Sequence, residues 1–214
     1  MKEQVQKELD ILLTNYPELT GCLKAIQTSF GMMRNAYLRG GVIMACGNGG
    51  SASDAEHIVS ELMKGFKLQR PLTGQQRDAL VAGFPDDAAF LADNLQQAIP
   101  AISIVSQTSI STAFANDVAP DMVFAQQVFG YGRSGDALLG LSTSGNARNV
   151  VNACKVAKSF GIGTIGMTGQ HGGKLREICD VTICVPATET FRVQEYHLPV
   201  YHTLCAMLEM DFFQ

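Results

Sequence analysis

Apolar residues near the N-terminus recur every three or four positions. Val5, Leu9, Leu12, Leu13 and Tyr16 fall on one helical face, and Leu23, Ile26, Phe30, Met33 and Tyr37 repeat the pattern ahead of Gly40-Gly41. A helical pair is therefore expected over residues 1–40. The period then changes. Short, mainly apolar runs at 42–46, 101–105, 137–141, 164–167 and 181–185 lack polar alternation, as strands covered on both faces of a parallel sheet do. Helical patterns at 54–66, 122–129 and 147–160, with a final helix from about 191 to 212, supply the crossovers that parallel strands need. The expected fold is α/β, a five-stranded parallel sheet flanked by helices, with the N-terminal helix pair and a long C-terminal helix, in one domain over 1–214. Ligands of such open sheets sit beyond the carboxyl ends of the strands.

Two segments depart from this rhythm. Residues 69–99 delay the second strand, and 72–98 read as a helical insertion, with a helix over 86–97 capped by Asp86 or Asp87. It serves either as a lid or as cover for hydrophobic surface. The final helix carries Val193, Val200, Leu204 and Leu208 among apolar residues at almost every angle, as expected of a helix buried between subunits. Pro199 removes a backbone donor within it, so a kink is expected between Gln194 and His202.

Composition narrows the functional classes. The chain has 214 residues, 46% hydrophobic and 17% charged, enough for one substantial core. A formal net charge of -4, without a basic stripe, argues against a nucleic-acid partner. No apolar run approaches the roughly 20 residues that span a bilayer, so no membrane partner is expected. Cys22, Cys46, Cys154, Cys179, Cys184 and Cys205 show no C-x-x-C spacing, and no secretory apolar segment follows Met1. A reduced, cytoplasmic protein is expected.

The chemistry concentrates at two glycine-rich turns. Cys46-Gly47-Asn48-Gly49-Gly50-Ser51 and Leu141-Ser142-Thr143-Ser144-Gly145-Asn146 each follow a predicted strand and open a helix. Free N–H groups and the helix dipole make such places anion sites, and hydroxyls at 51, 142, 143 and 144 can donate without a lysine. Neither turn has the dinucleotide or P-loop spacing, so no nucleotide cofactor is expected. His57 and Glu61, four residues apart, share a helical face with Asp54 one turn earlier. Next to a phosphate cradle this pair reads as an acid-base or metal pair; without it, as an ordinary surface pair. His202 reads equally as a satisfied core histidine or a catalytic one, and His171 as a turn residue.

These residues resemble the sugar isomerase (SIS) family, and within it the phosphoheptose isomerases. The resemblance rests on Cys46-Gly-Asn-Gly-Gly-Ser51, Asp54-Ala55-x-His57-x-x-x-Glu61-Leu62, Ala115-Asn116-Asp117, Leu141-Ser-Thr-Ser-Gly-Asn146, Thr168-Gly-x-x-Gly-Gly-Lys174 and Arg192-Val-Gln194-Glu195-x-His197 with His202. It implies an enediol isomerisation of sedoheptulose 7-phosphate to a heptose 7-phosphate in a homotetramer, with Glu61 as general base and His202 as general acid. It implies substrate contacts from Asn48, Gly49, Gly50, Ser51, Asn116, Asp117, Ser142, Thr143, Ser144, Asn146 and Gln194, and zinc at His57, Glu61, Gln194 and His202. Ala147 stands where a serine often follows the second turn, and Ala52 and Ser53 where histidine and cysteine can occur. The alternatives are a non-catalytic member of the fold, binding a phosphosugar or a replication protein, and an isomerase of another sugar phosphate. Members of the non-catalytic kind lack the acid-base pair, which is present here.

Overall fold

The computed structural model describes residues 2–214. Helices α1 (Glu3–Asn15) and α2 (Leu23–Leu38), joined by a 3-10 turn at Pro17–Cys22, precede β1 (Ile43–Cys46). There follow α3 (Gly50–Met63), α4 (Gly74–Gly83), α5 (Ala88–Asn94), β2 (Ala101–Ser103), α6 (Thr108–Asp117) and α7 (Val123–Tyr131). The second half contains β3 (Ala137–Leu141), α8 (Arg148–Ser159), β4 (Gly163–Thr168), α9 (Gly173–Ile178), β5 (Val181–Cys184) and α10 (Thr190–Phe213). The strands form one parallel sheet in the order β2-β1-β3-β4-β5.

Strand alternation divides the core into two layers. Ile43, Ala45, Leu139, Leu141, Ile165, Met167 and Ile183 face one way, into a layer that includes Val5, Leu9, Ile26, Met33, Ile58, Leu62, Leu204 and Leu208. Met44, Cys46 and Leu138 face the other, packing with Val123, Phe124, Val128, Val150, Val151, Cys154 and Leu175. Thus α3, which follows β1, lies on the first face, and α8, which follows β3, on the second. Because β1 and β3 are neighbours, with Cys46 paired to Gly140, their diverging helices open a crevice at the carboxyl edge, the position where such sheets bind ligands.

The insertion is where the structure departs from expectation. The helix at 86–97 is shorter, Ala88–Asn94, and the insertion holds a second helix, α4, whose start is fixed by a reciprocal Thr73–Gln76 capping box. Asp87 occupies the N-cap position of α5 without a side-chain cap bond. Much of the apolar circumference of α10 packs against α1, α2 and α3 of its own chain, while Phe191 and Leu198 on the same helix stay exposed. Pro199 lies inside α10, which continues through it from Thr190 to Phe213.

Candidate active site

The first turn delivers the chain from β1 into α3. Gly49, at the N-cap, has a φ of +57°, and no side chain caps the helix. Ser51 and Ala52 N–H bond back to the carbonyls of Asn48 and Gly49 at 3.1 and 3.0 Å, which leaves the N–H groups of Asn48, Gly49 and Gly50 for a ligand. Ser51 is buried at this helix start. Gln194, from α10, closes over the same place: a Cβ on Gly50 would lie 2.5 Å from its Nε2. Glycine is what lets that amide approach the turn.

The second turn is held from behind. A Cβ on Gly145, whose φ is +69°, would run into the carbonyl oxygen of Gly172, so the turn is clasped to the start of α9 by backbone packing. Asn146 completes the clasp, donating from Nδ2 to the Ser144 carbonyl at 2.9 Å and accepting from the Lys174 N–H at 3.1 Å. The Ser142 hydroxyl oxygen accepts from Ala147 N–H at 3.3 Å, and that of Ser144 from Asn146 N–H at 3.2 Å. Each hydroxyl hydrogen stays available to an anion. The half-buried Thr143 receives Gly169 N–H on its carbonyl.

One contact joins the two turns. Asn48 and Asn149 exchange reciprocal amide bonds, Nδ2 to Oδ1, both 2.9 Å. They lock the two helix starts at one spacing across the crevice. Asn116 and Asp117 lie exposed at the end of α6, and the bond between them, 2.8 Å, is to each other.

Further along α3, His57 and Glu61 meet His202 of α10. His57 Nε2 is 3.1 Å from Glu61 Oε1 and 3.4 Å from His202 Nε2. Glu61 is buried, and its Oε2 has no hydrogen-bond partner. On its other side, His57 Nδ1 lies 3.0 Å from the Tyr201 hydroxyl, which donates to Asp54 Oδ1 at 3.3 Å. Burial and the charge of His57 push the His202 imidazole pKa down, against the pull of Glu61. Burial also raises the Asp54 carboxyl, opposed by the Tyr201 hydroxyl and by His57. Tyr201 is held well above the ordinary phenol range by burial and by Asp54, so it remains a proton donor. His202 also forms part of the wall of a groove of about 390 Å³ between α1 and α10, beside Tyr16, Phe66 and Thr203.

One ligand atom each from His57, Glu61 and His202 lie within 4.8 Å of one another. Two imidazole nitrogens and a carboxylate oxygen, with an orphaned buried Oε2 beside them, fit a zinc ion that keeps a position open for substrate. Gln194, the fourth expected ligand, lies against Gly50, seven residues or roughly 10 Å along α3 from His57. The structure thus brings His57, Glu61 and His202 together and sets Gln194 against the first turn. Sequence reasoning gave Tyr201, Arg70 and Glu209 no role. For Tyr201 the available signal was a phenol next to His202 on a helix otherwise rich in apolar residues.

A family model described as "SIS domain" matches residues 91–169. Phosphoheptose isomerase of Rhodospirillum rubrum is 34% identical over 209 residues, covering 98% of this chain and 97% of that protein. Among solved structures, phosphoheptose isomerase of Neisseria gonorrhoeae superposes with a TM-score of 0.70 at 31% identity, covering 95% of this chain and 96% of that one. That of Francisella tularensis gives 0.72 at 25%, covering 94% and 98%.

Proposed function

The chain belongs to the phosphoheptose isomerases, SIS-domain proteins, and from that premise we propose that it interconverts sedoheptulose 7-phosphate and D-glycero-D-manno-heptose 7-phosphate through an enediol. The observation that carries this reading is the layout of α3. Its N-terminus, with Ser51 buried there, faces the crevice shared with the second turn, while Glu61 and His57 stand two to three turns further on, beside His202. A phosphate at one end and a reacting carbonyl at the other require an extended, open-chain sugar phosphate.

In this reading the backbone N–H groups of Asn48, Gly49 and Gly50 and the hydroxyls of Ser51, Ser142, Thr143 and Ser144 hold the phosphate. Asn146 holds the second turn in shape, and Gln194 closes over the first. Asn116 and Asp117 supply contacts to the sugar hydroxyls. Glu61 takes the carbon-bound proton on Oε2, the oxygen that no other group engages, and His202 manages the proton on the substrate oxygens. Zinc is proposed at His57, Glu61 and His202, with Gln194 as a further contact, and when bound it would stabilise enediolate oxygens as a Lewis acid. No helix among the described residues is long and apolar enough to cross a membrane. We place the protein in the cytoplasm, where its six free thiols stay reduced, as a homotetramer. Support for assembly comes from exposed Phe84, Phe90 and Val81 on and beside α4 and α5.

The test is a panel of ketose phosphates of three to seven carbons, incubated with purified protein and followed for aldose formation. Turnover of the seven-carbon substrate above the others is expected. A preference for a pentose or hexose phosphate would reassign the substrate, and binding without turnover would leave a sensor.

A further inference from the structure

We propose that Asp54 and Tyr201 are positioning residues that fix the tautomer of His57, holding its proton on Nδ1 and presenting the Nε2 lone pair to a metal ion shared with Glu61 and His202. This rests on the metal-site part of the proposed function. A phenol has one proton to give. Tyr201 gives it to Asp54 Oδ1, 3.3 Å away, because an ionised carboxylate can only accept. The phenol oxygen is then left to accept from His57 Nδ1 at 3.0 Å, which requires hydrogen on Nδ1.

With Nδ1 protonated, the lone pair of neutral imidazole lies on Nε2. That atom faces Glu61 Oε1 at 3.1 Å and His202 Nε2 at 3.4 Å. Two lone pairs, on Nε2 and Oε1, then point at one another, and a cation between them turns repulsion into ligation. Any second proton on His57 must sit at Nε2, where a metal displaces it. Hydrogen bonds of this kind to a ligating histidine fix its ring and its tautomer. The local sequence suits this arrangement, since Asp54 and His57 are one turn apart on α3 and Tyr201 adjoins His202 on α10. The same two helices therefore carry the ligands and their supports.

Two substitutions separate a tautomer role from mere packing. Tyr201→Phe keeps the ring and removes the relay, leaving both tautomers open. Asp54→Asn reverses the relay. Asp54 Oδ2 is buried without a partner, and a buried carbonyl oxygen tolerates that position better than an N–H donor. The new amide therefore turns its NH₂ to the Tyr201 oxygen, and the phenol proton goes to His57 Nδ1, moving the imidazole hydrogen to Nε2.

The experiment uses the full chain with histidine ¹⁵N labels, metal-free and with zinc alone as probe. In metal-free protein the long-range ¹H–¹⁵N spectrum of His57 should show the Nδ1–H form in wild type and the Nε2–H form in Asp54→Asn. The zinc dissociation constant should rise roughly 10- to 100-fold in Tyr201→Phe, and further in Asp54→Asn. Circular dichroism melts identify folded variants, and the wild-type spectrum answers even if a variant fails to fold. A wild-type Nε2–H tautomer, or zinc affinities unchanged within twofold in both folded variants, would overturn the proposal. Absence of zinc binding in wild type with the Nδ1–H form present would instead sink the metal site and leave the relay standing.

Discussion

Arg70 and Glu209 form an ion pair with both side chains fully out of solvent, Nε to Oε1 at 2.7 Å. Each end is also bound to backbone. Arg70 donates to the carbonyls of Leu62 and Glu61 at 2.8 and 3.1 Å, capping the last turn of α3, and lies over the Phe213 ring at 4.7 Å. Glu209, on α10, accepts from the N–H groups of Phe66, Lys67 and Leu68. The pair therefore ties the helix that carries His57 and Glu61 to the helix that carries His202. Removing one partner strands a charge in the core, which typically costs about 3–5 kcal/mol. Glu209→Gln and Arg70→Met should each lower the melting temperature by roughly 6–20 °C, and the double variant, which strands no charge, should recover part of that loss. Single variants that melt within about 2 °C of wild type would deny the pair this role.

A second buried group predicts a pH dependence. His197 is wholly buried on α10, and burial pushes its pKa down to about 4, outweighing the opposing pull of the Thr168 backbone. Its ordinary value is 6.5. Between these values the unfolded chain binds more protons than the folded one, so stability is complete above the unfolded value and is lost as pH falls toward the folded one. By pH 4.5 that loss amounts to about 2–3 kcal/mol. Urea midpoints at pH 7.5 and 4.5 should therefore drop more in wild type than in His197→Leu. Equal drops would show that His197 is not the titrating group.

The central strands β1, β3 and β4 were legible because a buried parallel strand has no solvent face and shows up as an apolar run. The helices that escaped notice have physical reasons. Helix α6 buries none of its residues and so carries no stripe, while α9 has only six residues, too few to display a period. Helix α4 also buries nothing, yet Thr73-Gly74-Gln75-Gln76 is a capping-box signature that marks its start. At the site, the spacing of His57 and Glu61 foretold their contact because a helix brings residues four apart together. Their meeting with His202, and the pairing of Arg70 with a residue 139 positions away, depend on how α3 packs against α10, which no local pattern encodes. The same packing sets Gln194 beside Gly50.

The phosphate cradle predicts separable losses. Ser51 is buried at the start of α3, so Ser51→Ala should weaken inorganic phosphate binding by roughly 1–3 kcal/mol if its hydroxyl donates to the anion. Asn149→Ala should weaken it less, because it removes only the amide pair with Asn48 and loosens the spacing of the turns. Calorimetry with phosphate reads both. Equal affinity in Ser51→Ala and wild type would move the anion elsewhere.

Glu61 is asked to serve two ends, and its two oxygens divide the work. Oε1 faces His57 at 3.1 Å and Oε2 has no partner. Glutamine keeps the shape and one acceptor but has no proton affinity for a carbon acid. Glu61→Gln should therefore lose roughly 10²- to 10⁴-fold in turnover while phosphate affinity, set at the other end of α3, stays at the wild-type level. A loss of turnover alone does not separate a base from a ligand, so zinc content must be read beside it. We expect chelation to abolish turnover in wild type and added zinc to restore it, whereas Glu61→Gln saturated with zinc should stay inactive because the base is gone. Near-normal turnover in the zinc-loaded variant would remove Glu61 from the proton transfer. Full activity of chelated wild type, with no metal found by elemental analysis, would leave Glu61 and His202 as base and acid acting without a metal.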